Sequence, residues 1–507
     1  MGTSLITEKY SNQIKDTLSC FDRVVIKGTL PGICFAEGMT SFLFKNKIRI
    51  FDYPEYASSI RDEIKNNAEQ IAAANNIKVT YIRRSDFSKE NRIAEILKER
   101  GSHPGLVHIF SALERCTSFK PFYDNEQHKT FLKYDSGKCL HYYFYFMHET
   151  LGLCYVRVPT WLPLRLQIYF NGHNLLANKL EEEGIEFSKI DNVFTDISDF
   201  ARAQQLADSL SDNVSAIHKV LDDLVCQFCP VIEKFKKKYH WSIMQAEYAT
   251  DIVFKKQTEL ANIYQSIVRT AIHTVKPENV ATFLGKKLSG NYKGEVGNNF
   301  KTRIEGTRIK HQMGPVSIKM YDKLSIVLRI ETTVNDVSFF KHRRKVEQRD
   351  GKTVRKNAAM KKGIYSLPPL VRLLKATNGR YLEFISTIDD RTAGVKNIKK
   401  ISKSVRKNNR SFKGINFFDD DDLAIIYAAM SGEFNISGFQ NRDIRKKLTN
   451  KSSSQVTRIL ARLRHHGMIK KIARTHKYYL TKLGKQSITT ALKIKELVII
   501  PELSYVR

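Results

Sequence analysis

Residues 452–481, SSSQVTRILARLRHHGMIKKIARTHKYYLT, constrain the chain most tightly, because they fall into a helix, a turn and a two-stranded hairpin. Ser452, Ser453 and Ser454 offer hydroxyls to the free amides of a helix start. Val456, Ile459, Leu460 and Leu463 then recur at i, i+3, i+4 and i+7 as one buried face. The opposite face carries Gln455, Thr457, Arg458 and Arg462, whose side chains can donate to phosphate or to base edges. Gly467 stops the helix. Residues 468–473 and 477–480 then alternate around Arg474, Thr475 and His476, the pattern of a basic hairpin.

The sign of the charge fits that reading. Lys plus Arg number 84 against 52 for Asp plus Glu, a net charge of +32, which calls for a polyanionic partner because self-repulsion otherwise only costs stability. DNA is the first expectation and structured RNA the second. Phosphate contacts are assigned to Lys470, Lys471, Arg474, His476 and Lys477 at the hairpin. Arg343 and Arg344 join them from the basic run 341–362, as do Lys400 and Arg406 from 396–413. No stretch approaches the ~20 apolar residues of a membrane span, and the start lacks the apolar core of a signal peptide. Seven cysteines, an odd number, fit a reducing compartment, so a cytoplasmic protein without a membrane partner is expected.

The helix, HGMIKK, the basic tip and YYLTKLGK together resemble a winged helix of the MarR type, with DDDDLAIIYAAM and NRDIRKKL supplying two earlier helices. The resemblance implies docking on DNA. A protein-interaction or dimerisation module is the alternative, and a homodimer is left open. SGKCLHYYFYF, QAEYATDIVF, GTRIKHQMGPVSIKMYDK and LRIETTVND also resemble segments of mobile-element-associated bacterial proteins of similar length, to which no activity is attached.

Ahead of residue 416 the chain reads as a mixed α/β body. Residues 1–190 show strand, helix, strand, helix, strand with some parallel pairing, then a β-meander, and a helix over 164–184. The aromatic run HYYFYFM at 141–147 suits a strand buried on both faces, or a platform for stacked bases. Residues 191–395 read as helices plus a β-hairpin core, 396–415 as a solvated basic linker, and 416–507 as the winged helix-turn-helix domain.

Strand cleavage needs carboxylates that converge on a divalent metal, Mg or Mn. The candidates are Glu247 and Asp251, which share a face if their segment is helical, Asp322 at a hairpin turn, and Glu331 in the apolar run IVLRIETTV. Arg329 and Glu331 are equally a structural ion pair, and Asp22 could form a separate acidic corner of a ribonuclease H-like site. KMYDK and LRIE weakly resemble a strand pair of rolling-circle replication initiators, which would make Tyr321 or Tyr381 a nucleophile. The histidine-hydrophobe-histidine metal motif of that group is missing, and His311 alone cannot replace it. With no phosphate-loop motif, no nucleotide cofactor is expected. The chain thus reads as a metal-dependent DNA nuclease or transposase-like enzyme. A non-catalytic winged-helix regulator and a ribonucleoprotein component stand as alternatives.

Overall fold

The computed structural model describes residues 4–83, 86–101, 103–287, 294–303, 306–386, 391–407, 409–431, 434, 438–473 and 475–504. They form two compact units, Met1–Ser386 and Thr387–Arg507. In the first unit the chain passes through β1 (Ile14–Thr29), β2 (Thr80–Tyr81), β3 (Gly105–Asp124), β4 (Lys129–His148), β5 (Gly152–Pro159) and β6 (Gln167–Phe170). The hairpin of β7 (Phe187–Ile190) and β8 (Val193–Ile197) follows, then β9 (His240–Phe254), β10 (Val296–Arg303), β11 (Gly306–Met313), β12 (Val316–Lys323) and β13 (Val327–Val334). All but β7 and β8 join one eleven-stranded sheet in the order β10-β11-β12-β13-β9-β1-β6-β5-β4-β3-β2. The pairing is antiparallel except between β2 and β3.

This sheet corrects the expected boundary at residue 190. β1 pairs with β9 from Ile14↔Phe254 to Thr29↔His240 and with β6 on its other side, so strands from both halves share one hydrogen-bonded layer. The helix read over 164–184 is also corrected. Residues 167–170 pair with both β1 and β5, and the helix is Gly172–Glu182, capped by Asn171, whose side chain accepts from the His173 amide. Gly172 is needed there because a Cβ would lie 2.3 Å from the carbonyl oxygen of Phe21, so only glycine lets this helix start press against β1.

Residues 141–146 of β4 are buried on both faces. Phe144 stacks on Phe228 at 4.9 Å on one side, and Tyr143 and Tyr145 pack with Ile93 of the helix Lys89–Arg100 on the other. These rings are core, and the stacking platform is set aside. Helix Leu367–Ile385 crosses the sheet centre, where the fully buried Asn378 donates to Tyr248 O, Ile330 O and Thr250 Oγ1 and accepts from Thr332 Oγ1. The basic run 341–362 forms an exposed hairpin, β14 (Lys341–Glu347) with β15 (Thr353–Ala359).

In the second unit the expected solvated linker is folded. It holds helix Arg391–Ser402 and a hairpin of β16 (Val405–Lys407) with β17 (Arg410–Phe412). Ile401 and Ile415 are buried in the same core as Ile426, Val456, Leu460, Leu463 and Met468, which offsets the charge repulsion along the run. Helices Asp420–Ala429, Asn441–Lys447 and Ser453–His465 follow, then a hairpin of β18 (Ile469–Lys471) and β19 (Tyr478–Leu480), and helix Lys482–Ile494. No helix among the described residues is long and apolar enough to cross a membrane.

Asn378 holds the helix to two neighbouring strands through four hydrogen bonds in a dry site. Asn378→Ala should therefore lower stability by about 2–4 kcal/mol, read as a lower urea midpoint with an unchanged slope.

Candidate functional site

Side chains alternate between the faces of a strand, so Glu247, Ala249 and Asp251 of β9 share a face with their partners on β13, Thr333, Glu331 and Arg329. Lys319 and Tyr321 of β12 stand opposite Glu331 and Arg329 on the same face. On β1 the register with β9 shifts between Phe21 and Arg23, and this bulge places Asp22 among the same groups. One carboxylate oxygen from each of Asp22, Glu247 and Glu331 lies within 4.8 Å of the others, an arrangement that could hold a metal ion.

Arg329 anchors the cluster. It has no exposure to solvent, and its guanidinium forks onto Asp251, Nε to Oδ1 at 2.7 Å and Nη2 to Oδ2 at 2.6 Å. Nη2 also donates to Asn192 O at 2.6 Å, and Nη1 lies 3.3 Å from Asp22 Oδ1. His173, brought here by Gly172, lies between Asp22 and Asp251, its ring nitrogens 3.3 Å and 3.6 Å from their oxygens. The Asn192 amide in the β7–β8 turn donates to Asp22. Burial opposes ionisation of Asp22 and Asp251. His173 and Arg329 at Asp22, and Arg329 then His173 at Asp251, nevertheless hold both carboxyls below the usual range.

A second pairing lies beside the first. Lys319 Nζ bridges Glu331 Oε1 at 2.6 Å and Glu247 Oε1 at 3.2 Å, and Thr333 donates to Glu247 at 3.1 Å. Tyr321 donates to Glu331 Oε2 at 2.7 Å, and burial followed by the Glu331 charge pushes its phenol well up, away from nucleophilic use. Glu247 is held above the usual carboxylate range, first by burial and then by the charge of Glu331. The side chains of Glu247, Asp22 and Lys319 are 15%, 10% and 18% exposed against 3% for Glu331, so solvent reaches the cluster on the Glu247 side.

Of the sequence candidates, Glu247 and Glu331 come together, and Asp22 joins them instead of forming a separate corner. Asp251 shares the face but is taken up by Arg329, and it is Asp251, not Glu331, that pairs with this arginine. Asp322 is corrected out of the group. One residue beyond Tyr321, it turns to the other face, where its amide donates to the Tyr264 hydroxyl. Tyr381 is buried in helix Leu367–Ile385 and lies 3.0 Å from His311 Nε2, while Asn298 faces the other ring nitrogen at 2.7 Å. Neither Tyr381 nor His311 has a part in the cluster. Lys319, His173 and Asn192 were missed. The readable signal for the acids was a carboxylate embedded in an apolar strand run, which Asp22, Glu247 and Glu331 share.

In the second unit Gln455 closes a capping box with Ser452, and Thr457 bonds to Ser453 O and Asn441. Arg462 is corrected from the outer face. It forks onto Asp422 at 2.6 and 2.8 Å and donates to Lys413 O at 2.8 Å. Arg458, Lys470, Lys471, His476 and Lys477 are exposed, as are Lys400 and Arg406, while Arg474 lies outside the described residues. Arg343 is exposed on β14, and Arg344 bonds back to Ala359 O and Lys345 O. Compared with known family models, curated proteins and solved structures, the chain matches none.

Removing one partner of a buried pair leaves the other charge uncompensated, so Arg329→Met should cost about 3–5 kcal/mol in urea unfolding. A carboxyl with a depressed folded pKa contributes stability that is present above its unfolded value and lost as pH falls through the folded one. Wild-type stability should therefore fall below about pH 4, and Arg329→Met should flatten that acid limb of the urea midpoint against pH.

Proposed function

We propose that this chain binds nucleic acid and cleaves phosphodiester bonds at Asp22, Glu247 and Glu331 with a divalent metal, Mg or Mn. The observation that carries the reading is the meeting of these three carboxylates, from β1, β9 and β13, within 4.8 Å. Like charges are not gathered at a partly open sheet face without an opposing interaction, and hard divalent cations take oxygen ligands. When bound, such an ion would polarise a phosphoryl oxygen and lower the pKa of a water nucleophile. Asp22 and Glu331 would hold it. Glu247, its proton affinity raised by burial and by Glu331, would accept a proton from the attacking water. Arg329 and Asn192 fix the orientation of Asp22.

The net charge of +32 supports a polyanionic substrate, as does the exposed β14–β15 hairpin. We read the second unit as a winged helix, in which helix Ser453–His465 presents Arg458 and the β18–β19 hairpin presents Lys470, Lys471, His476 and Lys477 to DNA. A non-catalytic reading has one observation in its favour. Lys319 Nζ already stands between Glu247 and Glu331, so the acids are partly neutralised by the chain itself.

The two readings separate by experiment. Under the catalytic one, Asp22→Asn and Glu331→Gln should each lower Mn-dependent cleavage of a plasmid or oligonucleotide at least about 100-fold with binding retained, as loss of a metal ligand does. Cleavage at the wild-type rate in both variants would discard these residues. Lys319→Met should bind Mn more tightly than wild type by calorimetry, because the internal cation no longer competes. A variant that only unfolds more easily and takes up no metal would favour the structural reading. Replacing Lys470 and Lys471 by Gln should weaken DNA binding across sequences and reduce its salt slope by about one per lost phosphate contact.

A further inference from the structure

The sheet carries a second concentration of charge, of opposite sign, further along β1. A cavity of about 170 Å³ is lined by Lys27, Arg115, Arg157 and Arg165 together with His141 and Thr117, and no carboxylate lines it. Its volume is below the roughly 300–1,000 Å³ of pockets for drug-sized ligands, so it suits one small group. The register builds it, because Lys27 of β1 stands opposite Gln167 of β6, which stands opposite Arg157 of β5.

These cations are not all satisfied by the protein. Arg157 pairs with Glu114, Nε to Oε2 at 3.1 Å. Arg165 spends Nη2 on Cys34 O at 3.1 Å and Nη1 on Thr117 Oγ1 at 3.3 Å, yet its buried Nε has no partner. The Lys27 ammonium makes no hydrogen bond or ion pair among the described residues. Burial lowers its pKa, and the charges of Arg165 and Lys362 lower it further. A half-buried lysine facing arginines without a counter-charge is unfavourable in the free protein. It becomes favourable when an oxyanion supplies the missing acceptors.

We propose that this cavity is a phosphoryl-group site, in which Lys27 supplies a point charge and Arg165 and Arg115 supply planar donors to one tetrahedral oxyanion. The phosphoryl group is carried by a nucleic-acid strand or is free inorganic phosphate. The site stands independently of the carboxylate cluster.

The test is calorimetry and thermal unfolding of the full chain with inorganic phosphate at low ionic strength. Wild type should bind and be stabilised, and Lys27→Met should bind about tenfold or more weakly, the value of one charged hydrogen bond. Without phosphate, Lys27→Met should unfold no earlier than wild type, because it removes a repelled charge. That separates a ligand role from a packing role. Arg343→Gln, on the exposed β14–β15 hairpin and outside the cavity lining, should bind phosphate as wild type does, and so should Asp22→Asn, whatever becomes of cleavage. Competition with 5′-phosphorylated and 5′-hydroxyl oligonucleotides assigns the source. Displacement of phosphate by the oligonucleotides upholds the site with a strand as its ligand, and binding of orthophosphate that neither displaces upholds it with a free anion. No binding to wild type, or binding by Lys27→Met and Arg165→Gln as tight as that of wild type, overturns the proposal.

Discussion

A guanidinium with no solvent exposure, Arg329, sets the terms for the centre of the sheet. Removing such a charge from water is costly unless each donor finds an acceptor and an opposite charge lies close. Asp251 on the neighbouring strand supplies the bidentate partner, and Asp22 and the Asn192 carbonyl take further donors. Each of these comes from a different part of the chain. The bulge in β1, the tight β7–β8 turn and the Gly172 helix start all bring atoms to this one side chain. The strand order meets the same need, since β13 lies beside β9 and sets Arg329 opposite Asp251.

Local pattern made much of this legible, and long-range pairing hid the rest. The period-two alternation around Val316, Ile318 and Met320 marks a hairpin because those residues are buried on one side, and the strand is there. Helix Ser453–His465 follows from its i, i+3, i+4 spacing and the Ser452 cap. Asp22, by contrast, is separated from Glu247 and Glu331 by most of the body, and nothing in a sequence says that β1 lies beside β9. Alternation did fix which acids share a face once the strands were placed. It separates Asp322 from Tyr321 by a single residue.

Charge misled where it stood for exposure. The run 396–413 contains no acidic residue and reads as solvated, yet Ile401 and Ile415 on either side of its basic hairpin enter the core of the second unit. His466 faces Lys400 O at 2.7 Å and Lys413 O at 2.9 Å, so the segment is tied at both ends to helix Ser453–His465 and its C-cap. Arg462 shows the same effect on a helix face. Its position promised contact with a groove, but Asp422, itself almost fully buried, required a cation. A basic residue near a buried carboxylate is committed inward before it is free for a polyanion.

The balance inside the body has the opposite sign from the balance outside. Asp22, Glu247, Asp251 and Glu331 face three cations, Arg329, Lys319 and His173, the last lying between two of the acids with its proton affinity raised well above the usual imidazole value, against burial, by Cys20, Asp22 and Asp251. The two salt-bridged aspartates are held ionised, so the excess negative charge falls on Glu247 and Glu331, and it is Glu247 whose affinity for a proton rises. A proton on Glu247, the ammonium of Lys319 and a divalent cation are three ways of answering one excess, and they exclude one another in so small a space. On the proposed reading, Asp22 and Glu331 would hold a metal beside the place Lys319 now takes, with Glu247 next to it as the general base. On that reading, the net charge of +32 would draw a polyanion in from a distance, and the acidic interior would need a positively charged mediator between itself and that polyanion.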